Sequence, residues 1–146
     1  TASSNYAVAL GTGTTANGNS AFAIGNSTTA SGNNSTALGN NTTASDFGSL
    51  VIGQFNSSGS SATSAGSYNS GNTAFVIGNG TGSGNLSDAF KVMFNGDTYI
   101  SSSLYLGGTA ITSNAAELNI LDGVTSTAAE LNIMDGVTST AADLHI

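Results

Sequence analysis

The glycines Gly11, Gly25, Gly39 and Gly53 stand 14 residues apart, and that interval limits what the chain can fold into. A short apolar stretch precedes each: Ala7-Val8-Ala9-Leu10, Ala21-Phe22-Ala23-Ile24, Ser35-Thr36-Ala37-Leu38 and Ser49-Leu50-Val51-Ile52. Ala2, Ala16, Ala30 and Ala44 keep the same step. Gly18 and Gly32 follow two residues after their alanines, and Asp46 takes that place in the next copy. Within each stretch successive side chains point to opposite faces of a strand. The glycine then lets the chain turn or pack closely. A Thr-Thr-Ala-x-Gly piece supplies a second short strand and a second turn. Each copy is then one rung of a narrow parallel solenoid, stacked at about 4.8 Å. Composition alone would fit a disordered linker, since only 6% of residues are charged and Ser, Thr, Asn and Gly dominate. The fixed return of the apolar residues argues against that.

Such a rung encloses little apolar area, and a stack of four hardly offsets the entropy of ordering its chain. Both faces of the strand Ala21 to Ile24 are apolar, which implies that both are buried. The expectation is self-association along a shared seam, as a symmetric homotrimer. Alanines suit either the tight interior or the seam, and larger residues such as Val8, Phe22, Leu38 and Ile52 suit the other buried face; Leu10 and Ile24 hold the repeat places of Leu38 and Ile52. The sequence leaves open which face is which.

The stretch Asn19-Ser20-Ala21-Phe22-Ala23-Ile24-Gly25-Asn26-Ser27, with Ala30-Ser31-Gly32 after it, resembles the head repeats of trimeric autotransporter adhesins of the YadA type. The likeness covers residues 1–56. It implies a parallel β-roll assembled as a trimer, whose head binds host surface or matrix molecules. Phe22 stands where that family has Val, and no ligand-binding residue is carried over.

From Ser57 to Asn72 the step slips. Ala62-Thr63-Ser64-Ala65-Gly66 and Ala74-Phe75-Val76-Ile77-Gly78 read as irregular rungs within a Gly-, Ser- and Asn-rich stretch, 57–87. Residues 88–107 read as a hairpin connector. Alternation on both sides of Asn95-Gly96 predicts a type I′ turn between Phe90–Phe94 and Asp97–Ile100. Ser101 to Leu106 is expected to continue as a strand.

Residues 108–146 carry a second repeat, of period 13. Asn114-Ala115-Ala116-Glu117-Leu118-Asn119-Ile120-Leu121-Asp122-Gly123-Val124 returns as Thr127 to Val137, and a third copy opens at Thr140. Thr127 and Glu130 have capping-box spacing, imitated by Asn114 with Glu117 and Thr140 with Asp143. Each copy is expected to start a helix of about two turns, ended by Gly123 or Gly136. Leu118, Leu131 and Leu144 recur on the docking face of helices too short to stand alone. This unit resembles repeats of bacteriophage tail fibres and related virion proteins, and the stretch Asp88 to Asp97 is similar to a segment common in such fibres.

Chemistry is sparse. Lys91 is the one basic residue against eight acidic ones, so neither nucleic acid nor an anionic membrane surface is an expected partner. With no cysteine there is no disulfide or thiolate metal site. The chain has no apolar run of membrane-spanning length and no signal-peptide pattern, and reads as a piece of a longer polypeptide. Asp46 is the only carboxylate before Asp88, so the facing pair that glycoside hydrolysis needs is missing there. Glu117, Asp122, Glu130, Asp135 and Asp143 fall at repeat-equivalent places, which suits capping. His145 is the sole histidine. Gly11-Thr12-Gly13-Thr14-Thr15-Ala16 fits a loose dinucleotide pattern, but the repeat accounts for its glycines. No cofactor or metal is expected, and no enzyme.

The expected fold is mainly β: a parallel β-roll or solenoid in an elongated homotrimeric fibre, with short helices in the C-terminal repeats. The expected function is a structural and adhesive segment of a trimeric phage tail fibre. Its partners would be itself, other virion or fibre proteins and a host cell-surface molecule, with the virion as location. The alternative is the passenger head of a bacterial trimeric adhesin on the cell surface. A more remote one is an ice- or ligand-binding solenoid displaying ranks of Thr14-Thr15, Thr28-Thr29 and Thr42-Thr43.

Overall fold

The computed structural model describes residues 1–59, 62–120, 122 and 124–126. The chain divides into two compact units after Leu104.

In the first unit each 14-residue copy makes one rung. β1 (Val8–Thr12) and β2 (Thr15–Ala16) form the first, β3 (Phe22–Asn26) and β4 (Thr29–Ala30) the second, and β5 (Thr36–Asn40) and β6 (Thr43–Ala44) the third. β7 (Leu50–Gln54) and β8 (Thr73–Asn79) follow on the long-strand wall. The long strands pair in parallel with the periodic register intact: Gly11 lies beside Gly25, Gly25 beside Gly39, and Gly39 beside Gly53. The short strands β2, β4 and β6 pair in parallel as the opposite wall. The expected mainly-β parallel solenoid is thus the observed fold.

The face left open by the sequence is now assigned. Ala16, Ala21, Ala23, Ala30, Ala37, Ala44, Val51 and Val76 form the core, all fully buried. The walls stand so close that small side chains fill the gap, and the larger residues of the long strands are turned outward. Thr14, Thr28 and Thr42 also point inward. The hydroxyls of Thr28 and Thr42 are buried without a hydrogen-bond partner. A desolvated, unpaired hydroxyl is costly, and an isosteric methyl in its place is free of that penalty. Thr28→Val should therefore stabilise the unit by about 1 kcal/mol, seen as a raised midpoint in urea.

Asn56 ends the short-strand wall. It occupies the column of Thr14, Thr28 and Thr42, but a rung later. The Thr15 and Thr29 amides donate to the carbonyls of Thr28 and Thr42. The Thr43 amide donates instead to Asn56 Oδ1 at 2.8 Å, and Asn56 Nδ2 donates to the Thr43 carbonyl at 2.9 Å. A side-chain amide replaces the peptide that the next rung would have supplied.

Beyond Gly53 the rung interval changes. Leu50–Gln54 pairs directly with Phe75–Asn79, which puts Gly53 beside Gly78. Of the two irregular rungs expected, only Phe75–Gly78 joins the wall; Ala62 to Gly66 forms no strand. The intervening segment runs as an excursion tied to the rungs below: the Asn33 amide donates to the Ala65 carbonyl and the Phe47 amide to the Ser64 carbonyl, each at 2.8 Å. Then β9 (Asp88–Met93) pairs antiparallel with β8, and β10 (Thr98–Ile100) antiparallel with β9.

The hairpin forms where expected, but its turn is not type I′. That turn needs positive φ at both central residues, and here Gly96 has it while Asn95 does not. The Asn95 side chain accepts from the Asp97 amide at 3.0 Å and donates to its carboxylate at 2.7 Å. This local ring of bonds holds Asn95 out of the left-handed region. Ser101 and Ser102 bend, so of the strand expected from Ser101 to Leu106 only Tyr105–Leu106 forms.

In the second unit β11 (Tyr105–Leu106) and β12 (Thr109–Ala110) pair antiparallel. Gly107 and Gly108 between them both have positive φ, +58° and +83°, the two-residue arrangement that Asn95-Gly96 lacks. α1 (Ala115–Asn119) follows, with the expected capping box: Glu117 N–H donates to Asn114 Oδ1 at 3.0 Å, and Asn114 N–H to Glu117 Oε2 at 2.8 Å. It is shorter than the two turns expected and buries none of its residues. Gly123, Leu131, Gly136, Leu144 and the second and third copies of this repeat lie outside the described residues.

Candidate interaction surface

The long-strand wall presents two columns of side chains outward. One holds Leu10, Ile24, Leu38, Ile52 and Ile77, each beside the next in parallel register. The other holds Val8, Phe22, Thr36, Leu50 and Phe75. Neither contains a charge. Leu10 is 62% exposed and Phe22 42%, although they stand on a regular sheet. A contiguous apolar face on a β-sheet marks an interaction site. Single exposed leucines are ordinary; an unbroken column of five aliphatic residues beside one interrupted only by Thr36 is not.

The glycines behind this face serve the stack. A Cβ on Gly11, Gly25 or Gly39 would stand 1.9 Å from the carbonyl oxygen of the glycine one rung on. Their φ values, +120°, +134° and +132°, exclude ordinary side chains as well. Other corners turn through residues the sequence did not single out: Ser20, Asn34, Ser27 and Asn41 all take the left-handed conformation. Ser and Asn are common in such columns, so nothing marked these beforehand.

Ala16, Ala30 and Ala44 lie inside the solenoid and have no place on the outer face. Leu118 sits on α1 and is 47% exposed. Of the threonine pairs, Thr14, Thr28 and Thr42 face inward, so only Thr15, Thr29 and Thr43 remain as an outward rank.

Two carboxylates of the first unit hold backbone amides. Asp46 is buried and accepts from the amides of Thr63 at 2.6 Å, Ser64 at 3.3 Å and Thr73 at 2.8 Å. Asp88 accepts from the Ser57 amide at 2.9 Å and the Ser58 amide at 2.8 Å. Among the described residues no three His, Cys, Asp or Glu side chains gather as metal ligands would.

Residues 2–28 and 30–56 match the YadA head domain repeat. Each matched stretch spans two rungs of the solenoid. No curated protein and no solved structure matches the chain. The YadA head repeats therefore carry the part of the outer face that runs from Val8 to Ile52. The columns continue onto β8, beyond the match.

Proposed function

We propose that this chain is a structural and adhesive segment of a homotrimeric surface fibre, and that the outward apolar columns are the seam between its three copies. What carries this reading is the exposed sheet face over an interior made mainly of small side chains, alanine foremost. An inward alanine buries one methyl, about 0.8 kcal/mol, while each ordered backbone residue costs about 1–2 kcal/mol. Covering the large outward residues supplies apolar burial that the interior lacks. The roll then gives length and stiffness, and the surface away from the seam is left for a host-surface molecule.

Within that class a phage tail fibre is the first reading, with the virion as location and other fibre proteins as partners. It draws on the likeness of the C-terminal repeats. The second reading, the passenger head of a bacterial trimeric adhesin, is favoured by the YadA head match. The remainder of the coding sequence separates them: a membrane anchor belongs to an adhesin, a virion-attachment domain to a fibre. Neither reading requires catalysis.

The seam is tested by the double substitution Ile24→Asp and Leu38→Asp. Both side chains point outward, so a lone chain would tolerate them. In a trimer they place six carboxylates in a desolvated interface, at a cost of about 3–5 kcal/mol or more. The parent's melting temperature should rise with protein concentration, and the variant should be a monomer that melts at lower temperature. A parent melt independent of concentration, unchanged in the variant, would contradict the proposal.

A further inference from the structure

The outward columns do not stop at the last parallel rung. β9 places Val92 opposite Phe75 and Phe90 opposite Ile77. β10 places Thr98 opposite Val92 and Ile100 opposite Phe90. Directly opposed residues of a sheet share a face. Phe75 and Phe90 meet edge to face with ring centroids 6.1 Å apart, as neighbours on one face do. The basic residue of the hairpin lies on the other side: Lys91 stands opposite the buried Val76 and over the Tyr99 ring, 4.2 Å from its centroid.

We infer that the antiparallel hairpin β9–β10 is part of the assembly seam and that its outward face is covered by the other two copies of this chain. The inference rests on the trimer reading above and extends it past the head repeats, which end at residue 56. Three observations select a second copy as the occupant. The face is continuous with the rungs, strand beside strand in one seven-stranded sheet. It has no charge, in a chain of net charge −7 that would otherwise repel its own copies. The chain's one basic residue is turned away from it. A receptor would have to enter a face whose adjoining strands sister chains already close. The hairpin is thus the end of the seam and not a free connector.

The chain has no cysteine, so single ones report cleanly. Phe22, Ile100 and Tyr99 are 42%, 45% and 49% exposed in the single chain. A monomer would therefore react alike at all three. Phe22→Cys, Ile100→Cys and Tyr99→Cys are made separately in the whole chain and timed against a fluorescent maleimide. Cysteines at 22 and 100 should react at least about tenfold more slowly than the one at 99. Thr98→Cys, nearly isosteric and on the same outward column, repeats the hairpin test should Ile100→Cys disturb folding. Slow reaction at 22 with fast reaction at 98 and 100 overturns this inference and leaves the trimer standing. Fast reaction at 22 overturns the trimer and the inference with it. Equal protection at 99 also overturns it, because protection would then not follow the face.

Discussion

Gly25→Ala should abolish the stacked rungs. Gly25 has φ of +134°, where a side chain is strained whatever space surrounds it. An added Cβ would also stand 1.9 Å from the Gly39 carbonyl oxygen and 2.9 Å from its carbon. Neither can move away, because the Gly39 carbonyl is backbone in a strand paired on both sides. Strain alone costs about 1–3 kcal/mol, and opening the ladder adds the loss of its neighbouring bonds. The expected total exceeds about 4 kcal/mol, enough to unfold a marginally stable unit. Far-UV circular dichroism of the variant should show little β signal at room temperature. Gly66→Ala is the control: Gly66 has no positive φ and open space where its Cβ would go, so the change should stay within about 0.5 kcal/mol. A Gly25→Ala protein that melts like its parent would contradict the close stacking.

Asp46→Ala should detach the excursion that follows the fourth rung. The position explains the residue. Gly18 and Gly32, its equivalents in the copies before, must lack a side chain: a Cβ would lie 2.0 Å and 2.1 Å from the carbonyl oxygens of Gly32 and Asp46 respectively. Asp46 carries a side chain at that place, and its carboxylate collects the amides of Thr63, Ser64 and Thr73. Removing it leaves three donors without their acceptor, one of them on the buried Thr73. At about 1–3 kcal/mol for a buried donor left unpaired, and with the exposed Thr63 amide open to water, the loss should be about 2–3 kcal/mol. Asp46→Asn keeps one acceptor oxygen and turns an amino group on the other donors, so it should lose an intermediate amount. Hydrogen exchange localises the effect. The amides of Thr63 and Thr73 should lose protection, while those of Ala23 and Ala37 keep theirs. Uniform loss across all four would show that Asp46 supports the rungs themselves.

These two positions show what the sequence could and could not tell. The step of Gly11, Gly25, Gly39 and Gly53 gave the register of the parallel wall directly, because parallel rungs of equal length align equivalent residues. The sidedness of the strands was not legible. Ala21 and Phe22 are both apolar, and only the distance between the two walls decides that alanine goes inward. After Gly53 the period failed as a guide, since an excursion intervenes before the next long strand. Ala62 to Gly66 copied the composition of a rung. Val76 was the better signal, because it continues the inward column of Ala23, Ala37 and Val51. The turn at Asn95 was misread because its side chain bonds Asp97, a competition that the Asn-Gly pair does not reveal. The apolar columns on β9 and β10 were hidden for a further reason: alternation within a hairpin says nothing about which neighbouring sheet it extends.

The proposed seam between copies is tested most directly by the solution mass of the whole chain, measured by multi-angle light scattering. The account predicts three times the chain mass of 14.2 kDa, held on dilution. A single-chain mass, with the outward columns left in water, would contradict it.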